Sequence, residues 1–337
     1  MIGETGPMRS PVRGRRAPLA LLAVLALLLA ACGGGNDDGD DAAADEEPTY
    51  VAQVASYELV AGPEQRFLTG LVVQGTGTVV SFGSVDLEFF YLGTRDQPVD
   101  PPEARGSATA SFLPIAGREA PPESETEPRE VRPSEALGVY EATGVTFDAA
   151  GTWGVRVSAT IDGEDVVANT AFPVRAQPRV PAPGMEAPRT QNPTLGSVGP
   201  NAPVLDSRAS EEEEAPDPEL HGISVADALA QRKPVVLVIS TPVYCVSQFC
   251  GPITDSVSAL AKRYGDRAAF VHIEVWEDFE DKKLNPSARE WLQPGGVGDL
   301  QEPWVFFVGG DGIVKERYDN VASDAQLEDA TKRLVGA

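Results

Sequence analysis

Thr241-Pro242-Val243-Tyr244-Cys245-Val246-Ser247-Gln248-Phe249-Cys250-Gly251-Pro252 is the stretch on which the second half of the chain turns. Just upstream, Val235-Val236-Leu237-Val238-Ile239 is an unbroken aliphatic run of the kind buried in a sheet. Downstream, Val257, Leu260, Ala261 and Tyr264 recur at i, i+3, i+4 and i+7, the spacing of an amphipathic helix. The two cysteines therefore sit at a strand-to-helix junction. Residues five apart on a helix differ by about 140° around its axis, beyond the reach of a disulfide. A bond between Cys245 and Cys250 thus requires residues 246–249 to be a loop. Pro252 agrees, because proline is tolerated only in the first turn of a helix, which would start near Cys250.

Outward from this junction, the pattern predicts a helix over 225–231 and a second strand over 269–275. Trp304-Val305-Phe306-Phe307-Val308 and Ile313-Val314-Lys315-Glu316-Arg317-Tyr318 flank Gly309-Gly310-Asp311-Gly312, a hairpin signal. A last helix opens at Ser323, with Gln326 three residues on in capping-box spacing and Leu327, Ala330 and Leu334 on one face. The order strand, helix, strand, hairpin, helix predicts an α/β body with a mixed sheet and helices on both faces.

That order, with paired cysteines after the first strand, resembles the thioredoxin fold over residues 217–337. Phe249-Cys250-Gly251-Pro252 is similar to the aromatic-Cys-Gly-Pro opening of that family, and Glu302-Pro303-Trp304 stands where the family places its cis-proline. The spacing departs from Cys-x-x-Cys: Ile253 occupies the place of the resolving cysteine, and Cys245 would supply the missing sulfur. The resemblance implies thiol–disulfide exchange, with Pro303 holding a partner's backbone beside the sulfurs. A thiol at a helix N-terminus is favoured as thiolate, which nominates Cys250 as the attacking sulfur, whereas family order nominates Cys245; we lean to Cys250. The strand over 235–240 has no carboxylate, so the acid that assists proton transfer in the family is not evident. Two other readings stay open. One is a stapling disulfide in a non-enzymatic surface-binding lipoprotein. The other is copper handling, as in the similar Sco-like branch, which pairs two cysteines with a histidine. The chain has only two histidines: His272 in a strand reads as a satisfied core residue, and His221 lies at the edge of a linker.

From Tyr50 to about Ala176 short β-rich runs such as Asp86-Leu87-Glu88-Phe89-Phe90-Tyr91-Leu92 alternate with Gly, Pro and Asp, which predicts an antiparallel sandwich over 48–176. Phe147-Asp148-Ala149-Ala150-Gly151-Thr152-Trp153 resembles the corner of immunoglobulin-like domains, with Trp153 in place of the commoner Tyr. Residues 93–135, with eight prolines, read as a long excursion around a short strand over 108–112. Residues 177–216, proline-rich and carrying the run Glu211-Glu212-Glu213-Glu214, read as an extended linker. The predicted fold class is therefore an all-β immunoglobulin-like sandwich followed by an α/β thioredoxin-like domain.

The N-terminus adds an address. Arg9, Arg13, Arg15 and Arg16 precede thirteen residues of Ala, Leu and Val, too few for a spanning helix but right for a signal peptide over 1–31. Leu29-Ala30-Ala31-Cys32 resembles the lipobox of bacterial lipoproteins, which implies lipidation of Cys32 and an anchor on the extracytoplasmic face of the cell membrane. Residues 32–47, glycine, alanine and acid, read as a disordered tether. The 337 residues carry 27 Lys and Arg against 51 Asp and Glu, a net charge of −24. Such a surface is repelled by phosphate backbones and argues against nucleic-acid partners. Three cysteines and two histidines make a four-ligand zinc site unexpected, and no phosphate loop, nucleophile elbow or metalloprotease motif is present. The expected partners are exported protein thiols or a redox partner, and the membrane through the anchor, with no cofactor.

Overall fold

A computed structural model of the chain describes residues 49–337, apart from 123, 133, 136, 137, 248 and 297–299. The expected signal peptide over 1–31, the expected lipidation site Cys32 and the expected tether over 32–47 lie outside the described residues.

The first nine strands are β1 (Tyr50–Val54), β2 (Gly62–Val73), β3 (Val79–Ser81), β4 (Ser84–Gly93), β5 (Pro98–Pro114), β6 (Arg129–Val131), β7 (Gly138–Phe147), β8 (Gly151–Ile161) and β9 (Glu164–Val174). They form one sheet in the order β6-β3-β2-β7-β5-β4-β8-β9, with β1 paired to β2. The pairing is antiparallel throughout. Register shifts in the β2–β7 and β4–β5 ladders bend the strands, and an isolated bridge joins Val60 to Arg175 beyond the end of β9. The sheet so curls around its own core. Phe67, Phe89, Phe147 and Phe172 meet there edge-on or tilted, with centroids 5.1–6.5 Å apart. Trp153 is fully buried against Phe147, and its indole N–H donates to the Ala149 carbonyl oxygen at 2.9 Å.

The C-terminal part comprises α1 (Leu195–Val198), α2 (Val225–Ala230), β10 (Val235–Ser240), α3 (Cys250–Tyr264), β11 (Ala269–Glu274), β12 (Trp276–Asp278), β13 (Lys283–Leu284), α4 (Pro286–Leu292), β14 (Trp304–Val308), β15 (Val314–Asp319) and α5 (Asp324–Val335). A four-stranded sheet runs β11-β10-β14-β15, with β10 and β11 parallel and the other pairs antiparallel. Every residue of β10 and β11 is buried, as the aliphatic run over 235–239 required. The Ser323 side chain caps α5 through Gln326, the predicted capping box.

The predicted fold class needs correction. The described chain is mostly β, 41% strand against 18% helix, dominated by a single nine-stranded antiparallel sheet; an immunoglobulin-like sandwich followed by an α/β thioredoxin-like domain does not describe it. The physical reason lies in β5. The excursion expected over 93–135 contains this 17-residue strand, which pairs with β4 along most of its length and with β7 at its end. One long strand serving both neighbours removes the break that two stacked sheets need.

The stretch 177–216, expected as an extended linker, is packed: Val180, Ala187, Leu205, Asp206 and Ala209 are all buried. Leu68, Leu113 and Val139 of the large sheet share an apolar cluster with Val321, which follows β15. Arg66 of β2 forms ion pairs with Glu141 and with Asp319 of β15. An apolar seam and ion pairs thus join the large sheet to the C-terminal elements.

Candidate functional site

β10 ends at Ser240 and α3 starts at Cys250 with Phe249 as its N-cap, so the described residues between the two cysteines precede the helix. Cys245 and Cys250 are joined by a disulfide, with Cα atoms 6.0 Å apart, inside the range that a loop reaches and a helix does not. Cys250 is the first residue of α3 and is fully buried; Cys245 is half-buried. Ser247 Oγ lies 3.2 Å from Cys245 Sγ. Around this pair the loop exposes apolar surface: Val243, Tyr244 and Val246 are 53%, 37% and 96% exposed. The Tyr244 ring stacks on Phe279, centroids 3.7 Å apart. Both rings border a cavity of about 780 Å³ that is also lined by Trp276 and Glu274.

Pro303 follows a cis peptide bond with Glu302 and is buried. The residue before it was missed in the sequence as a site residue. A Glu302 carboxylate oxygen and both cysteine sulfurs all lie within 4.8 Å of one another. Partial burial, reinforced by the charge of nearby Glu274, pushes the Glu302 carboxyl up to about 7 from its ordinary 4.5. Glu274 is itself buried, which raises its own pKa despite nearby His272 and the hydrogen bond from the Ser207 backbone N–H. The carboxyl beside the sulfurs thus comes from the segment that carries the proline, not from β10. Its only sequence signal was adjacency to Pro303.

Tyr57, in the connection between β1 and β2, was also missed, and no local motif marks it. Its hydroxyl lies 2.6 Å from the Glu302 carbonyl oxygen and 2.9 Å from Asn320 Oδ1, sharing one hydrogen between them. Its backbone N–H donates to Asp319 Oδ2 at 2.6 Å. Burial, with Glu302 and Asp319 nearby, holds the phenol well above its ordinary pKa, so it stays a neutral donor. Asn320 also receives its backbone N–H partner from this segment, donating to the Pro303 carbonyl oxygen at 2.9 Å.

Chemically, the arrangement combines a disulfide with one sulfur reachable from outside, a second sulfur at a helix start, and a carboxyl that changes charge near neutral pH beside both. The two histidines fall elsewhere. His221 and His272 group with Asp206, and neither joins the donor cluster formed by the sulfurs and Glu302. The chain matches no protein-family model and no curated protein sequence.

Proposed function

We propose that this protein carries out thiol–disulfide exchange on exported proteins through the Cys245–Cys250 pair. The observation that carries the reading is the Glu302 carboxyl, with a pKa near 7, against both sulfurs of a disulfide at the start of α3. A stapling bond needs no proton-exchanging neighbour, whereas exchange needs a group that takes up and returns thiol protons near neutral pH. The exposed Val243, Tyr244 and Val246 offer apolar surface to a partner chain beside the bond, and the resemblance of the Cys-Gly-Pro loop to exchange proteins points the same way.

Burial and helix electrostatics divide the roles between the sulfurs. A partner thiolate attacks the half-buried Cys245 Sγ, the bond to Cys250 breaks, and its electron pair leaves on Cys250 Sγ. The unpaired N–H groups at the start of α3 stabilise that leaving thiolate. A second partner thiolate then attacks the partner's sulfur in the mixed disulfide and expels Cys245. Two thiols become one disulfide, and their protons and two electrons reside on the cysteine pair. The same steps reversed reduce a partner. Access thus favours Cys245 as the entry point, where helix electrostatics alone favoured Cys250. Pro303, buried under the same segment, flanks the partner chain.

A lipid anchor at Cys32 would hold this chemistry on the extracytoplasmic face of the membrane, a reading that rests on Leu29-Ala30-Ala31-Cys32. Cys32→Ser is expected to release the protein from the membrane fraction or leave the leader uncleaved. Reduction potential tests the exchange reading. A value above about −300 mV, with a mixed disulfide trapped by Cys250→Ser, is expected; a value below it, with no trapped partner, would reduce the pair to a staple.

A further inference from the structure

Asp206, His221 and His272 come from three separate segments and meet in the interior. Asp206 lies in the packed stretch after α1, His221 follows the short 3-10 turn Pro218–Leu220, and His272 is in β11. All three side chains are fully buried. One donor atom from each lies within 4.8 Å of the others.

His272 Nδ1 and both ring nitrogens of His221 are buried beside Asp206 without a hydrogen-bond partner. His272 Nε2 lies 3.2 Å from the Ser240 carbonyl oxygen, which can only accept, so that nitrogen carries the hydrogen of the neutral ring. Its Nδ1 lone pair then faces Asp206 Oδ2 at 3.4 Å, and Nδ1 has no hydrogen-bond partner. His221 Nε2 stands 4.0 Å from the same oxygen, and both of its ring nitrogens are buried without a partner. A carboxylate oxygen and two imidazole nitrogens without hydrogen bonds thus converge on one buried point, which is costly unless a cation fills it. Arg208 does not supply that cation to the rings. Its guanidinium binds both carboxylate oxygens of Asp206, including Oδ2 at 2.8 Å, and is shared with Asp217 and Asp255. With Lys262 paired to Asp217 and Glu219, four carboxylates against two cations leave the surroundings negative.

We propose that Asp206, His221 and His272 form a buried site for a divalent metal ion, with Zn(II) the best chemical match. Two imidazole nitrogens and one carboxylate oxygen suit zinc, and they leave a fourth position to water. Donors around a four-coordinate zinc stand roughly 3.3 Å apart. The Asp206–His272 pair is already at that separation, and His221, held by no hydrogen bond, closes the rest by a small rotation. The ion would pin the proline-rich stretch and the 3-10 turn to β11, a binding role independent of the cysteine chemistry.

The test uses the full chain in detergent, with the disulfide oxidised, stripped by chelator and titrated with Zn(II) and with Co(II). One zinc per chain is expected, with a rise in the unfolding midpoint, and cobalt should give the visible bands of tetrahedral nitrogen–oxygen coordination. The Cys245→Ser/Cys250→Ser protein should bind equally well. His221→Gln and Asp206→Asn should weaken zinc by about 100-fold or more, beyond the roughly 10- to 100-fold that loss of an outer-shell partner costs, with circular dichroism confirming the fold. Three results would overturn the site: no stoichiometric zinc in the oxidised wild-type chain, a thiolate-to-cobalt charge-transfer band, or undiminished binding in folded His221→Gln. An imidazole resonance showing His272 doubly protonated against Asp206 in the zinc-treated protein would equally overturn it, with a proton as the occupant.

Discussion

The curled nine-stranded sheet and the four-stranded sheet bury their side chains on different terms. Within the large sheet the described buried side chains with polar atoms are few, among them Thr69, Ser81 and Tyr140, whose hydroxyl donates to the Phe82 carbonyl oxygen, around a core of aromatic and aliphatic groups. Behind the smaller sheet lie Asp206, His221, His272, Glu274, Asn285 and Asn320, together with many buried hydroxyls. Apolar burial stabilises without regard to direction, whereas every buried polar group must find a partner or cost free energy. A chain that accumulates polar groups on one side and excludes them on the other has separated scaffold from chemistry. Substitutions in the two regions should then fail differently, one through stability and the other through reactivity.

The largest expected effect is on reactivity. Cys245→Ser and Cys250→Ser should each lower exchange on a thiol partner by more than about 1,000-fold while leaving the urea midpoint within the range lost with a single short-loop disulfide. Alkylation separates the two. Cys250→Ser exposes a half-buried thiol that should react readily, and Cys245→Ser leaves a buried one that should react at least about 100-fold more slowly. Faster alkylation in Cys245→Ser would make helix electrostatics, not access, the controlling factor. In the other region, Trp153→Ala should cost about 3–5 kcal/mol in urea unfolding, through its cavity and the orphaned Ala149 carbonyl. The remaining folded fraction should exchange at the wild-type rate. A matching fall in the specific rate would break the division between scaffold and chemistry.

The sequence displays this division unevenly. Helix and strand positions around the cysteines were legible, because an aliphatic run, an i, i+3, i+4 stripe and a capping box are local patterns. The loop between Cys245 and Cys250 followed from helix geometry. Sheet closure was not legible: whether strands divide into two layers depends on the 17-residue β5 running from its ladder with β4 into a ladder with β7 at its end, and its prolines and acids masked that strand as excursion. The polar clusters were hidden for a related reason. Asp206 sits in a stretch whose prolines and glutamates have the composition of a spacer, yet its buried residues pack on the C-terminal elements. His272 was read as satisfied, but satisfaction depends on Asp206 and His221, 66 and 51 positions away in sequence. Glu302 stood in plain view beside Pro303, without anything local to say that the sulfurs would lie against it.

Glu302 gives the next test, with an effect of intermediate size. Its carboxyl is raised to about 7, so the folded state binds this proton more tightly than the unfolded chain does. The contribution to stability is full below about pH 4.5 and is lost as pH rises toward and through 7. Glu302→Gln removes the ionisation, and so should match wild type at pH 4 and exceed it at pH 8 by about 2 kcal/mol, allowing for solvent screening of a half-buried group. For the reduced protein, wild-type alkylation should show an inflection near pH 7 that the Gln protein lacks, with rates differing up to about 10-fold at pH 8. Identical pH profiles would remove Glu302 from the exchange chemistry and leave it a structural acid.

The smallest effect tests the boundary between the two regions. Tyr57 belongs by position to the large sheet, yet its hydroxyl reaches the Glu302 carbonyl oxygen and Asn320. If it only fastens the segment, Tyr57→Phe removes one shared hydrogen bond between neutral groups and should cost about 1 kcal/mol in stability. The Phe ring keeps the packing on Trp304, whose centroid lies 6.0 Å away, and Asn320 retains its own donation to the Ala55 carbonyl oxygen. Exchange should then slow by no more than about 3-fold, with the inflection near pH 7 unmoved, because the hydroxyl bonds the backbone oxygen of Glu302 and not its carboxyl. A shift of that inflection in Tyr57→Phe would mean that the large sheet sets the position of the titrating carboxyl against the sulfurs. The sheet would then be part of the exchange site, and the contrast between an apolar scaffold and a polar reactive side would end at the β1–β2 connection.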